Sequence, residues 1–156
     1  CRTRKPWYSV RRVLRPPHAL LGYLVKRRPR LAADLAGAHS TNNLHRLWFR
    51  APWDRHAEII SAASLNAATM LSVELLGRVA AGGALKIEPG DATRIRLTRP
   101  QALLGVRRVR EGRDRDAYAM ADDLAARALG WKPGEMEQLR RSQLELRDRR
   151  LKPATR

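Results

Sequence analysis

Residues 56–80 read HAEIISAASLNAATMLSVELLGRVA and carry the most regular pattern of apolar side chains in the chain. Most of these side chains recur every three or four residues, as they do along one face of an α-helix. Asp54 lies just before the pattern as a suitable N-cap, and Gly82 and Gly83 follow it as a natural stop. The sequence therefore predicts a long central helix over residues 56–80. Asn66 falls inside the apolar pattern and needs hydrogen-bonding partners if it is buried.

Shorter segments with the alternating pattern of β-strands flank this helix. Strands are predicted over residues 6–10, 44–50, 84–88 and 93–97, with the last two joined by a turn at residues 89–91. Residues 18–36 allow two interpretations. Their Ala and Leu content favours a helix, but Gly22 and Pro29 interrupt it, so two strands around a basic turn are equally consistent with the sequence.

Two further helices are predicted near the C-terminus. One covers residues 114–129 and is closed by Gly130, and the other covers residues 133–150 and begins at Pro133. Together the segments predict an α+β fold, in which a small, mostly antiparallel sheet packs on the long central helix and a two-helix C-terminal tail follows. The composition changes beyond Pro100, so we divide the chain into residues 1–100 and a C-terminal helical segment over residues 101–156.

Positive charge dominates the composition. The chain of 156 residues holds 32 Lys and Arg side chains against 15 Asp and Glu, for a formal net charge of +17. The excess is uneven, since residues 1–56 hold 13 basic and 2 acidic side chains whereas residues 57–100 hold 5 and 4. A clustered basic surface of this kind attracts polyanions, above all nucleic acid. Arg outnumbers Lys 27 to 5, which codon usage in a GC-rich genome would also produce.

The sequence lacks the residues that several classes of function require. No run of about 18 apolar residues is present, so the sequence excludes a membrane-spanning helix. The single cysteine, Cys1, permits no internal disulfide, and we expect a cytoplasmic protein. One cysteine and four scattered histidines form no zinc-binding pattern, and neither a Gly-rich phosphate loop nor a nucleophile elbow is present. Taken alone, the sequence shows no catalytic residue and no cofactor or metal ligand.

A series of short motifs resembles one family of enzymes. Asn42-Asn43 precede an apolar strand and the central helix, in which Ser64-Leu65-Asn66 stands in the place of an LNS-like stretch, with Ala67 where that family often has Ser. Leu75-Leu76-Gly77-Arg78 then runs into the most distinctive string, GGALKIEPG at residues 82–90. In this order the motifs resemble the C-terminal, target-recognition part of bacterial adenine-specific DNA methyltransferases of the restriction–modification type. The resemblance covers roughly residues 1–100, which would then be a DNA target-recognition-like domain.

This resemblance implies a two-part enzyme. A Rossmann-like domain would bind S-adenosylmethionine and carry an (Asn/Asp/Ser)-Pro-Pro-(Tyr/Phe) motif at the flipped adenine, and this sequence contains neither. The Pro-Pro pair in Arg15-Pro16-Pro17-His18 has unsuitable neighbours, so no catalytic residue is assigned. Because the chain starts at Cys1 rather than at Met, we expect it to be a piece of a longer polypeptide. The methylase domain would precede it or belong to a separate catalytic subunit.

Double-stranded DNA is the partner that the charge and the resemblance both predict. Flipping a base out of a duplex costs a few kcal/mol, and a domain that grips the neighbouring duplex can offset that cost. Lys and Arg contacts to phosphates give affinity, whereas Arg to guanine and Asn to adenine give specificity. The candidate DNA-binding residues are Arg2, Arg4, Lys5, Arg11, Arg12, Lys26, Arg27, Arg28, Arg30, Asn42, Asn43, Arg46 and Lys86.

Some of these candidates also have simpler explanations. Asn42 and Asn43 are candidates for reading base edges, although a plain turn explains them as well. Lys86 follows a glycine turn that lets the backbone approach a partner closely, and it is a candidate phosphate contact.

Two other functions fit the sequence. The chain could be a stand-alone basic nucleic-acid-binding protein, or a specificity subunit that partners a separate methylase or nuclease. Sequence-specific duplex binding separates the methyltransferase part from a generic binder, which shows little sequence preference and a steep salt dependence. Co-purification with a chain that binds S-adenosylmethionine would favour the specificity subunit.

Overall fold

The computed structural model describes residues 15–38, 40, 42–98 and 114–152. Within these residues it has two small antiparallel sheets and five α-helices, which confirms the predicted α+β fold class. The predicted strand over residues 6–10 lies outside the described residues. The strands are β1 Ala19–Gly22, β2 Leu24–Val25, β3 Leu31–Ala33, β4 Leu44–Leu47, β5 Arg78–Val79 and β6 Leu85–Lys86. The helices are α1 Ala57–Ala63, α2 Ala67–Leu76, α3 Pro89–Ala92, α4 Asp114–Leu129 and α5 Pro133–Leu151.

The first sheet has the strand order β3-β1-β4 and is antiparallel throughout. Leu21 of β1 lies opposite Leu31 on one side and His45 on the other, and Leu20 lies opposite Arg46. Since side chains of directly opposed residues share a face, Leu21 and Leu31 point towards the core while Leu20 and Arg46 lie on the outer face. Residues 18–36 therefore form strands around a basic turn, and the helical interpretation of this segment is wrong.

The second sheet has the order β2-β6-β5 and closes the core from the other side. Val25 of β2 and Leu85 of β6 are paired, and both join the buried cluster that includes Leu21, Val73 of α2 and Ile87. These side chains are at most 4% exposed. Val73 of α2 thus packs in one cluster with residues of both sheets.

The strand predicted over residues 93–97 is wrong, because the segment before it does not turn back as a hairpin. Pro89 stands at the start of α3, where its fixed φ angle favours a helix. The Asp91 carboxylate accepts a hydrogen bond from the backbone N–H of Glu88 at 3.2 Å and caps this helix. Residues 93–97 leave the helix without joining a strand ladder, and of the predicted strand 84–88 only Leu85–Lys86 is paired.

The predicted continuous helix over residues 56–80 is two helices, α1 and α2, bent by 81°. Asn66 causes the break, because its side-chain Oδ1 accepts the backbone N–H of Thr69 at 2.9 Å and caps α2. His56, not Asp54, is the N-cap position of α1, and Asp54 lies in a short 3₁₀ turn before it. The helical region ends at Leu76, since residues 78–79 enter the second sheet.

Asn66 is fully buried and finds the partners that its position requires. Its Nδ2 lies within hydrogen-bonding distance of the Ala63 carbonyl oxygen and of the hydroxyls of Thr69 and Thr98. One side chain therefore ends α1, begins α2 and binds the segment that follows α3.

The C-terminal helices α4 and α5 have the predicted extents. Gly130 ends α4 with a φ angle of +67°, and α5 then packs along α2. Ala67 of α2 and Ala125 of α4 are both fully buried in one cluster with Met136 of α5. Asp122 of α4 accepts the backbone N–H of Ala67 at 2.6 Å and pairs with Arg140 of α5. The helical tail is therefore part of the same packed body as α2.

No single helix in the described ranges is both long and apolar enough to cross a membrane. Only α1 and α2 taken together reach the required length and apolar content, and they are the pair with the 81° bend.

We predict that Asn66→Ala lowers the free energy of unfolding by about 2–3 kcal/mol, because it removes a helix cap and leaves buried groups without a partner. Urea denaturation followed by circular dichroism measures this. Thr93→Ala, which removes an exposed hydroxyl bonded to the Gly90 carbonyl, is the control and should change stability by less than about 0.5 kcal/mol. Equal effects of the two substitutions would contradict the role given to Asn66.

Candidate nucleic-acid interface

Eight of the candidate DNA-binding residues lie in the described part of the chain, and several of them are close to the short segment Gly22–Val25. Lys26, Arg27, Arg28 and Arg30 belong to the turn between β2 and β3, which we call the basic turn (residues 26–30). Backbone hydrogen bonds bring the other elements to the same segment. The Gly22 N–H donates to the Arg30 carbonyl at 3.4 Å, and the Tyr23 N–H donates to the Asn43 carbonyl at 3.1 Å. Arg2, Arg4, Lys5, Arg11 and Arg12 lie outside the described residues.

The basic turn faces the C-terminal end of α5 across an open groove of about 650 Å³, which we call the basic groove. Its walls carry five cationic side chains and one carboxylate. The lining residues are Lys26, Arg27, Arg28, Arg30, Arg147, Asp148 and Leu151. The sequence predicts the first four of these residues but not Arg147, because α5 alternates acidic and basic residues and carries no signal of its own for a contact surface.

Arg28 is held by an aromatic ring. Its guanidinium carbon lies 4.3 Å from the centre of the Tyr118 ring of α4. A guanidinium stacked in this way keeps its N–H groups in a plane from which they can still donate to a phosphate or a base edge. The stacking therefore limits the number of orientations that Arg28 samples without using its hydrogen-bonding capacity.

Lys86 is engaged within the protein. Its Nζ lies 2.8 Å from the Glu88 carboxylate and 5.4 Å from the centre of the Tyr23 ring. The hydrogen bond to Glu88, and then the one to Tyr23, raise the pKa of Lys86 above its ordinary value. Any stabilisation from this charge is therefore fully present below the ordinary lysine pKa and is lost only as the pH rises through the raised one. A phosphate that approached Lys86 would have to compete with Glu88.

The remaining candidates are exposed. Asn42 and Asn43 form the turn that leads into β4, and Arg46 lies on the outer face of the first sheet beside Leu20. Trp48, the residue that follows β4, is 44% exposed, and its Nε1 donates to the Pro16 carbonyl at 3.2 Å. These positions leave the amide groups of both Asn residues accessible to a ligand.

Arg150 fixes the position of the basic turn. Its side chain is only 4% exposed and makes a bidentate ion pair, at 2.9 and 3.0 Å, with Glu74 of α2, whose side chain is 3% exposed. Its Nη1 also donates to the carbonyl oxygens of Lys26, at 2.9 Å, and of Gly83. The last turn of α5 is therefore joined to α2, the basic turn and the glycine turn through a single guanidinium.

The glycine turn at residues 82–83 fits against α5 only because Gly83 has no side chain. Gly83 has a φ angle of +70°, and a Cβ there would lie 2.4 Å from the Arg150 carbonyl oxygen. Gly82 has nearly the same φ angle, +67°, but a Cβ there would meet nothing within 4 Å. Both positions therefore favour glycine because of their positive φ angles, but only Gly83 also lies too close to α5 for a side chain.

We predict that Gly83→Ala destabilises the protein much more than Gly82→Ala. Gly82→Ala should cost about 1–2 kcal/mol, the cost of a left-handed non-glycine residue. Gly83→Ala should cost about 1–3 kcal/mol more, because it also pushes α5 away. Chemical denaturation of both variants measures the difference, and equal losses would show that α5 does not pack on this turn.

We predict that Arg150→Ala lowers the free energy of unfolding by about 3–5 kcal/mol, because it leaves the buried Glu74 carboxylate without a partner. The control is Arg141→Ala on the same helix, where the exposed pair with Glu137 is worth about 0.3–0.5 kcal/mol. Thermal and urea unfolding of the two variants provide the measurement. A loss below about 1 kcal/mol for Arg150→Ala would contradict the geometry described.

The family comparison supplies the identity of the domain. Residues 1–124 match the family described as type II methyltransferase M.Eco57I, C-terminal domain. This match covers well over half of the chain, so the chain belongs to this family of restriction–modification methyltransferase domains, and the resemblance seen in its motifs is confirmed. No curated protein and no solved structure gives a significant match. The family match ends within α4, so α5 and its part of the basic groove lie outside it.

The described residues contain no group of three or more His, Cys, Asp or Glu side chains that could hold a metal ion. The acidic pair Asp122 and Asp123 is used internally, by Arg140 and Arg127 respectively. What the described surface offers is cationic and amide groups for binding.

Proposed function

We propose that this chain is the DNA-binding, target-recognition part of an adenine-specific, S-adenosylmethionine-dependent DNA methyltransferase of a restriction–modification or phage-defence system. Catalysis would be carried out by a methylase domain or subunit that this sequence does not contain. The basic groove is the observation that carries the proposal, because it collects five cationic side chains on one accessible surface. The family to which the chain belongs supports the assignment to a methyltransferase.

Duplex DNA suits this groove on electrostatic grounds. A duplex carries one negative charge for about every 1.7 Å of its axis, and each phosphate neutralised by Lys or Arg releases condensed counterions. Lys26, Arg27 and Arg30 project from a single turn and are exposed, so they can follow one strand of phosphates. Their contribution is affinity and register rather than sequence specificity.

Specificity would come from side chains that can form paired hydrogen bonds with base edges. Arg28, oriented by Tyr118, belongs with the phosphate contacts rather than with these base-reading side chains. The amides of Asn42 and Asn43 are suited to adenine, which presents one donor and one acceptor there. Their exposure on a turn beside Tyr23 supports this role.

Recognition of this kind contributes directly to methylation of a base in a duplex. When bound by the catalytic part, S-adenosylmethionine would supply the methyl group. The groove of this chain would hold the flanking duplex in place while the target adenine is extruded, and its binding energy would offset the few kcal/mol of unstacking. Because the basic turn is attached to α2 and α5 by Arg150, the groove is already formed before DNA arrives.

We predict that Arg28→Ala weakens binding to every duplex and lowers the slope of log K against log salt concentration by about one. Fluorescence anisotropy with a labelled duplex, repeated at several KCl concentrations, measures both quantities. Arg127→Ala on α4 removes the same charge from an exposed pair with Asp123 and is the matched control.

Unchanged binding by Arg28→Ala would remove Arg28 from the contact surface. Binding of all duplexes with equal affinity, together with a steep salt slope, would instead favour a stand-alone nucleic-acid binder. Co-purification with a separate S-adenosylmethionine-binding chain would favour a specificity subunit.

A further inference from the structure

The C-terminal end of α5 forms the wall of the basic groove opposite the basic turn. Arg147 lines this wall, and its Nε and Nη2 donate to the Asp148 carboxylate at 2.9 and 2.7 Å. A guanidinium has five N–H groups, so three remain free of this pair. Arg147 therefore keeps donors for a ligand in the groove although it already has an ionic partner.

Asp148 is the one acidic residue among those that line the groove, and its side chain is 58% exposed. A DNA phosphate that entered the groove would be attracted by Arg147 and repelled by Asp148. In the free protein the carboxylate offsets the charge of Arg147 and holds its guanidinium in place. In the complex it would be a cost, because two anions would share one guanidinium.

Position rather than charge alone distinguishes Arg147. Arg149 lies two residues later on the same helix and is 76% exposed, but it does not line the groove. Its Nη2 lies 3.9 Å from the Glu145 carboxylate, so the two side chains form only a weak ion pair. The chain thus contains two arginines of equal charge, one inside the basic groove and one outside it.

We propose that Arg147 is a further phosphate-contacting residue and that Asp148 is a counter-charge which weakens DNA binding. This inference rests on the proposed function of the basic groove. It extends the DNA-binding surface beyond the family match, which ends at residue 124, into the last turns of the helical tail. The two walls of the groove would then hold the same phosphate backbone from opposite sides.

The test compares Arg147→Ala, Asp148→Asn, Arg149→Ala and Arg27→Ala in the whole 156-residue chain. A labelled duplex of about 20 base pairs is titrated at several KCl concentrations, and binding is followed by anisotropy. Arg147→Ala should weaken binding about tenfold or more, as expected for the loss of a charge-assisted hydrogen bond, and lower the salt slope by about one. Asp148→Asn should tighten binding several-fold, and Arg149→Ala should change it less than about twofold.

Arg147→Ala should weaken binding and Asp148→Asn should tighten it, so the proposal can still be tested if one of the two variants folds poorly. If the Arg147–Asp148 pair mattered only for folding, both substitutions would weaken binding, and that result would overturn the proposal. Equal losses for Arg147→Ala and Arg149→Ala would also overturn it, since they would show an effect of net charge alone.

Failure of the inference and failure of the proposed function give different results. If Arg27→Ala weakens binding while Arg147→Ala leaves affinity and slope unchanged, the groove binds DNA without α5 and the inference is wrong. If the unsubstituted chain does not bind the duplex, the proposed function of the groove is wrong as well. The same holds if Arg27→Ala binds the duplex as tightly as the unsubstituted chain.

Discussion

The guanidinium of Arg150 reaches from the last turn of α5 into the body of the protein, where four acceptors surround it. Two are the oxygens of the buried Glu74 carboxylate, and two are the backbone carbonyls of Lys26 and Gly83. Moving two such charges out of water costs several kcal/mol per ion, which is recovered only when the pair has good geometry and further hydrogen bonds. Arg150 meets both conditions, so its partners are confined to one arrangement.

That arrangement creates the surface to which we assign a function. The groove has one wall from residues 26–30 and another from residues 147–151, and the two are distant in sequence. The hydrogen bond between Arg150 and the Lys26 carbonyl holds the walls in register, and the close approach of Gly83 leaves no space for another side chain at that point. The same contact joins the family-matched residues 1–124 to a helix beyond them. The C-terminal helix is therefore a structural part of the groove.

The sequence predicts those features that depend on local patterns. The α+β class, the two C-terminal helices, the strand beginning at Leu44 and the need of Asn66 for partners all follow from spacing or from single residue types. The break between α1 and α2 does not follow, because the apolar pattern continues through Asn66 although the backbone turns there. The segment 93–97 alternates like a strand, but Pro89 and Asp91 begin a helix just before it.

Some residues of the candidate site can likewise be predicted from local sequence, and others cannot. Clustered charge identifies the basic turn, because its four cations lie within five residues. Arg147 and Arg150 are not predicted, because the charge pattern of α5 is mixed: Arg150 depends on a contact with Lys26, more than a hundred positions away, and Arg147 becomes a candidate only because the fold places it on the same groove as residues 26–30. Nor does the sequence show that Lys86 is paired with Glu88, which reduces its availability to a phosphate. Tertiary contacts, rather than composition, decide which cations can face a ligand.

If DNA binds in the groove between the basic turn and the end of α5, a short duplex should perturb both walls of that groove. Titration of the ¹⁵N-labelled chain with such a duplex, followed by backbone amide NMR, shows where it binds. We expect the largest chemical-shift changes at residues 26–30 and 147–151, and we expect them to fade with added salt. Changes concentrated at the apolar groove lined by Leu75, Leu129 and Trp131, with the basic turn unaffected, would contradict binding in the basic groove.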